Sequence, residues 1–241
     1  MEQTLIVVTL GLLGLMLGSF SGATVWRLRA RQLAEDKADG EPVDSVELKR
    51  LKKLTKKPFA TDRSQCLYCG HQLAWYDLLP LVSWLQLGGK CRYCHKSIGW
   101  FEPLVELGTA VFFIVSYLFW PYGLLEPVSI VMFVLWLLAG VGLCILLSYD
   151  AKWFLLPNRV MFPVIGIAAV STLLHVVSAP RPFEAVTSVA FSCLILSGLY
   201  LGLYIFSKGA WIGFGDIKLG LALGLLLADW RLALLALFLA N

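Results

Sequence analysis

The sequence predicts an all-α polytopic membrane protein: a bundle of six to eight transmembrane helices with a small cytoplasmic zinc-ribbon-like domain between the first and second spans. Three observations carry that prediction. Of the 241 residues, 59% are hydrophobic and 15% charged, and the mean hydropathy is +0.76; a soluble domain is nearer about 45–50% apolar and about 25% charged. Charge-poor runs long enough to cross a bilayer recur along the chain. Residues 27–100 hold 14 of the 20 Lys and Arg, so one polar segment interrupts an otherwise apolar chain. This composition excludes a disordered chain, a collagen-like chain and a water-soluble globule, which could not hide so much apolar surface.

The elements follow in order. Residues 3–26 carry no charge, and about 20 apolar residues suffice to span a bilayer. No basic residue precedes them and the run is too long for a signal-peptide core, so residues 1–26 are expected to stay as a first transmembrane helix. Trp26 followed by Arg27, Arg29 and Arg31 reads as a cytoplasmic exit. Residues 27–63 form a charged linker, solvated and either helical or flexible. Residues 64–102 form a compact four-cysteine block. Residues 103–241 form the membrane core, with apolar runs at 104–120, 127–149, 160–179, 185–207 and 211–228. A last run, 232–240, has nine residues, about 14 Å of a core about 30 Å thick; the native chain is expected to continue and complete that span. With the N-terminus outside, the inner face receives 18 basic residues and the outer face only Arg181 and Arg231. That asymmetry places the cysteine block in the cytosol.

Cys66, Cys69, Cys91 and Cys94 form two CxxC pairs with 21 residues between them. Each pair presents two thiolates to one tetrahedral ion, so the four together read as a structural zinc site. The alternative, two disulfides, requires an oxidising compartment. His71 and His95 flank the pairs and are candidate substitute ligands. Cys144 and Cys193 stand alone in apolar runs and read as packing residues.

Ionisable groups at membrane depth are usually functional. Asp150 closes the third run, and Asp216 lies in Gly213-Phe214-Gly215-Asp216-Ile217-Lys218. Both fall at the cytoplasmic ends of spans. Two such carboxylates can share a proton, one as the base that activates water and the other as the acid that protonates a carbonyl or leaving amine. The alternative is two separate ion pairs, with Lys152 and Lys218. Gly213 and Gly215 allow an unwound entry and close approach by another backbone. With Lys218 they are the expected substrate contacts. Glu102 and Glu106, at the entry to the second span, are expected to cap or pair at the interface.

Taken together, these residues resemble the type IV prepilin peptidases, intramembrane aspartic proteases of the GxGD kind. The resemblance runs through Leu17-Gly18-Ser19-Phe20 and the two CxxC pairs. It continues through Trp75-Tyr76-Asp77-Leu78-Leu79-Pro80-Leu81-Val82-Ser83-Trp84, Pro103-Leu104-Val105-Glu106, Asp150, Leu156-Pro157-Asn158 and Gly213-Phe214-Gly215-Asp216. It implies cleavage of the basic leader from type IV prepilins or pseudopilins after a glycine, on the cytoplasmic side of the bacterial inner membrane. It further implies N-methylation of the new N-terminus with S-adenosylmethionine, with Asp150 and Asp216 as the catalytic pair and the four cysteines as the zinc ligands. Precursor pilins and the bilayer are the expected partners, with no nucleic acid. The sequence fixes neither an oligomeric state nor the binding residues of the methyl donor. The competing reading is a non-catalytic membrane scaffold whose zinc ribbon docks a partner.

Overall fold

A computed structural model describes residues 2–55 and 63–240; residues 56–62 of the expected linker and the chain end at Asn241 lie outside the described residues. The described residues are helical apart from loops and two isolated antiparallel bridges. Among the described residues, five helices are long and apolar enough to cross a membrane. The chain divides into two compact units, one ending at Leu118 and one starting at Phe119.

In the first unit, α1 (Glu2–Ala38) does not stop at Trp26 but continues unbroken into the charged segment. Its extension is helical because it packs. Ala30 and Leu33 of α1 are buried with Leu51, which ends α2 (Ser45–Leu51), and with Leu54; Trp26, Val43, Leu48 and Leu67 close around them. Asp44 caps α2 by accepting the Val46 and Glu47 N–H groups at 2.8 and 3.2 Å. The described part of the linker, through Thr55, is therefore a small folded cap on α1, and Leu67 ties it to the cysteine block. After a short helix α3 (Val82–Gln86), α4 (Phe101–Leu118) returns along α1. A Cβ on Gly14 would sit 2.6 Å from Ala110 Cα, and one on Gly18 2.6 Å from Glu106 Cα. Small residues one turn apart let the two backbones touch, the usual way helices associate where lipid offers no hydrophobic drive.

In the second unit, α5 (Pro127–Trp153) and α6 (Asn158–Ser178) are joined by a short turn. They are followed by α7 (Pro182–Cys193), which runs on through a π-helical stretch, Leu194–Gly198, into α8 (Leu199–Ser207). Next come α9 (Phe214–Leu227) and α10 (Trp230–Ala240). Leu146 of α5, Met161 and Val164 of α6 and Ala222 of α9 share one buried cluster. α9 is then pinned by hydroxyls. Ser192 donates to the Gly224 carbonyl at 2.9 Å, Ser197 to Ile217 at 2.9 Å, Ser188 to Ala228 at 3.2 Å and Thr172 to Leu225 at 2.7 Å. Ser192 precedes the π stretch and Ser197 lies within it, and its wider turn lets both serines meet the same neighbour. The expected span at 211–228 is thus shorter in fact: α9 has 14 residues, about 21 Å of rise.

Candidate active site and metal centre

The two CxxC pairs fold into two knuckles with the same hydrogen bonds. In the first, the Cys66 N–H donates to the His71 carbonyl and the Gly70 N–H to the Cys66 carbonyl, both at 2.9 Å. In the second, the Cys91 N–H donates to Lys96 and the His95 N–H to Cys91, again at 2.9 Å. Each is closed by a bridge, Gln65 with Gln72 and Lys90 with Ser97. The fourth residue after each leading cysteine is left-handed. Gly70 takes φ +71° without strain, whereas His95 takes φ +57° against its Cβ.

The four Sγ atoms lie within 4.8 Å of one another, and Cys66 and Cys94 are 3.8 Å apart. A tetrahedral zinc with ligands near 2.3 Å would hold sulfurs about 3.8 Å apart. No disulfide joins them; all four are free thiols. Burial pushes the Cys66 thiol up to about 12. A metal cation reverses that, because a coordinated thiol gives up its proton. The donor set and its spacing fit zinc, with Cys66 and Cys91 buried, Cys94 part-buried and Cys69 exposed. Neither histidine joins the set: His95 occupies the turn position, and the His71 ring stacks on Tyr93 with centroids 3.6 Å apart.

Asp77 braces the second knuckle, a role that sequence reasoning left unassigned. Its carboxylate accepts from Arg92 Nε at 2.8 Å, the Tyr93 hydroxyl at 3.1 Å and the Ala74 N–H at 3.2 Å. Burial alone would raise its pKa, but these donors outweigh burial and hold the carboxyl below the usual range. The acids at the start of α4 pair as expected. Glu102 accepts from Trp26 Nε1 at 3.0 Å, and buried Glu106 accepts the N–H of Leu81 at 2.8 Å. Leu81 is itself left-handed at φ +57°, so Glu106 fixes a backbone turn that the sequence pattern does not announce.

Asp150 lies in the last turn of α5, where its carbonyl accepts the Phe154 N–H at 2.8 Å and ends the helix with Phe154 left-handed. Asp216 lies in the first turn of α9 and is exposed. Its Oδ2 accepts the Gly213 N–H at 3.1 Å, and its own N–H donates to the Gly213 carbonyl at 3.1 Å. Gly213 therefore spends both backbone groups inside this turn. Lys218 pairs with neither aspartate; its Nζ donates to Asn158 Oδ1 at 2.7 Å and lies over the rings of Phe214 and Phe162. A Cβ on Gly215 would lie 3.2 Å from Leu156. The Leu156-Pro157-Asn158 turn that leaves the Asp150 helix thus packs on the first turn of the Asp216 helix.

Residues 12–120 match the sequence profile described as bacterial peptidase A24 N-terminal domain, and residues 136–241 that of the type IV leader peptidase family. A prepilin leader peptidase/N-methyltransferase of Pseudomonas aeruginosa is 30% identical over 213 residues, covering 88% of this chain and 70% of that protein. This chain belongs to the type IV leader peptidase family. Relatives of the same description in Vibrio cholerae and Pseudomonas putida are 31% and 28% identical, over 92% and 100% of this chain and 77% and 79% of theirs. No solved structure matches. Within this leader peptidase chain, one profile takes in the cysteine knuckles and the other takes in both aspartates.

Proposed function

We propose that this chain cleaves the leader peptide from type IV prepilins or pseudopilins and N-methylates the exposed amine, the two activities that its relatives' names state. Asp150 and Asp216 are the catalytic pair. One carboxylate takes a proton from water; the water oxygen attacks the scissile carbonyl; the other, protonated, carboxyl gives its proton to the carbonyl oxygen. Collapse of the tetrahedral intermediate breaks the C–N bond, and the leaving amine takes up a proton from the pair. The observation that carries this reading is the seating of Leu156 and Asn158, just after the Asp150 helix, on Gly215 and Lys218 beside Asp216. It ties the two acid-bearing elements into one end of the helix bundle.

The excess of basic residues in the segment that carries the cysteines supports a cytoplasmic active face and an outer N-terminus, in a bacterial inner membrane. Zinc on Cys66, Cys69, Cys91 and Cys94 is structural in this reading, and S-adenosylmethionine would supply the methyl group. Lys218, held by Asn158, positions the Asp216 turn, and Gly215 leaves room for Leu156. The test is cleavage of a purified prepilin by wild type, Asp150→Asn and Asp216→Asn. Each variant should lose on the order of 100- to 10,000-fold in cleavage rate while keeping its helix content and zinc. Full activity in either would remove that aspartate from the catalytic pair, and no cleavage by wild type would favour the scaffold reading.

A further inference from the structure

The described part of the linker and the first knuckle form a cleft of about 300 Å³ that the proteolytic reading does not use. Lys49, Arg50, Lys53, Gln65 and Tyr68 are among its walls, which include no acid among the described residues; Asp44, the cap of α2, lies within electrostatic reach of Arg50. The one acid of α2, Glu47, is paired with Arg29 at 2.8 Å. The Arg50 guanidinium lies over two rings, 5.2 Å from the centre of Trp26 and 5.8 Å from that of Tyr68. Lys96 approaches the Tyr68 ring at 5.2 Å. Arg50 Nε is buried and has no hydrogen-bond partner among the described residues. Buried donors without acceptors are rare in folded proteins and point to a missing ion or water. Lys53 gives one bond, to the Cys69 carbonyl at 3.3 Å, and keeps further donors.

The depth of the cleft follows from Trp26. Its indole donates to Glu102 and packs edge-on against Phe101, at the first residues of α4. The polar ends of two membrane helices meet there, and Trp at such a junction marks the headgroup layer. Arg50 rests on that ring.

We propose that the cleft binds a phosphate anion, supplied by the headgroup of an anionic phospholipid in the surrounding leaflet. Cations in excess of acids at headgroup depth are the chemistry that recognises such groups. A basic pilin leader has the wrong sign. A methyl donor also fits poorly, because its sulfonium is cationic. The competing role is internal: Cys66 also lines the cleft, and the cations could serve only to offset zinc-bound thiolates.

The experiment uses the full zinc-loaded chain in a non-ionic detergent. Calorimetric titrations with short-chain phosphatidylglycerol, short-chain phosphatidylcholine and inorganic phosphate are run on wild type, Arg50→Gln, Lys49→Gln/Arg50→Gln/Lys53→Gln and, as a charge control on α1, Lys37→Gln. Zinc content and helix content are read on the same samples. Phosphatidylglycerol should bind saturably and more tightly than phosphatidylcholine. At about fivefold per cation, Arg50→Gln should weaken it about fivefold and the triple variant on the order of a hundredfold, with zinc retained and Lys37→Gln unchanged. Inorganic phosphate that binds as well, with the same dependence on the variants, keeps the site and assigns it to free phosphate. Phosphatidylglycerol binding that survives the triple variant overturns the proposal, as does equal binding of phosphatidylcholine or equal loss in Lys37→Gln. Loss of zinc with lipid binding intact would assign the cations to the thiolates instead.

Discussion

Replacing Gly215 by alanine tests how the Asp216 turn is held. The added Cβ would lie 3.2 Å from both Cβ and Cδ1 of Leu156 and 3.6 Å from its Cγ. Carbon contacts are favourable at about 3.5–4.0 Å, so Leu156 must retreat by roughly 0.3–0.8 Å. Overpacking of this kind costs about 1–3 kcal/mol, and alanine in place of glycine in a helix returns about 1 kcal/mol. Stability should therefore change by no more than about 2 kcal/mol. The displaced residue, however, belongs to the turn between Asp150 and α6. A misplacement of about 1 Å can slow a positioned reaction on the order of a hundredfold, so kcat for prepilin cleavage should fall on the order of tenfold. Gly215→Val, with two more methyl groups, should fall further. Trimming the neighbour supplies the internal control: Leu156→Gly, which removes both crowded atoms, combined with Gly215→Ala should recover activity relative to Gly215→Ala alone, with a coupling of about 0.5–3 kcal/mol in the double-mutant cycle. Cleavage is followed by gel mobility of the pilin and stability by thermal unfolding in detergent. An unimpaired Gly215→Ala enzyme, or a double variant as slow as the single one, would refute the reasoning.

The metal centre gives two further expectations. Wild-type protein prepared under reducing conditions should contain about one zinc per chain by elemental analysis, and Cys66→Ser should lose it, together with the order of the knuckles in a proteolysis time course. His95→Gly should raise resistance to chelator-induced unfolding, because glycine adopts φ +57° without the penalty of roughly 1–2 kcal/mol that a Cβ incurs there; a drop in zinc affinity would instead reinstate His95 as a ligand.

Much of the architecture is legible because the bilayer forces long apolar runs and a tetrahedral metal forces CxxC spacing. Residues 127–149 fall within α5 and 160–179 nearly coincide with α6, since neither run is broken by charge. The continuation of α1 to Ala38 is not legible by hydropathy. Its cue is the pattern of Ala30 and Leu33, which bury against Leu51 and Leu54 across a gap in sequence. The clustering of the four cysteines is legible from spacing, yet Asp77 and Glu106, which hold the knuckle and the Leu81 turn, are not. Their partners are backbone N–H groups and an arginine brought close only by folding. Lys218 misleads for a similar reason. Its spacing from Asp216 invites an ion pair, whereas the folded chain gives it Asn158 from another helix.

The shortness of α9 connects these contacts to the chemistry. A helix of 14 residues rises about 21 Å against a hydrocarbon core of about 30 Å, so the bilayer alone cannot fix its depth. The hydroxyls of Thr172, Ser192 and Ser197 do so instead, by bonding its carbonyls. Gly220 and Gly224 bring it onto the neighbouring backbone: a Cβ at Gly220 would lie 2.1 Å from the Leu196 carbonyl oxygen, and one at Gly224 2.8 Å from Cys193 Cα. A small side chain and a polar one count alike as mild interruptions in a hydropathy scan, yet here they decide where the helix begins. That start is preceded by non-helical backbone from Gly209 to Gly213, which membranes tolerate only where protein or water satisfies it. Peptide hydrolysis needs water beside a carboxylate. On the proposed reading, holding α9 short and opening its first turn with Asp216 exposed would let the water that unwound backbone requires reach the acid that would use it.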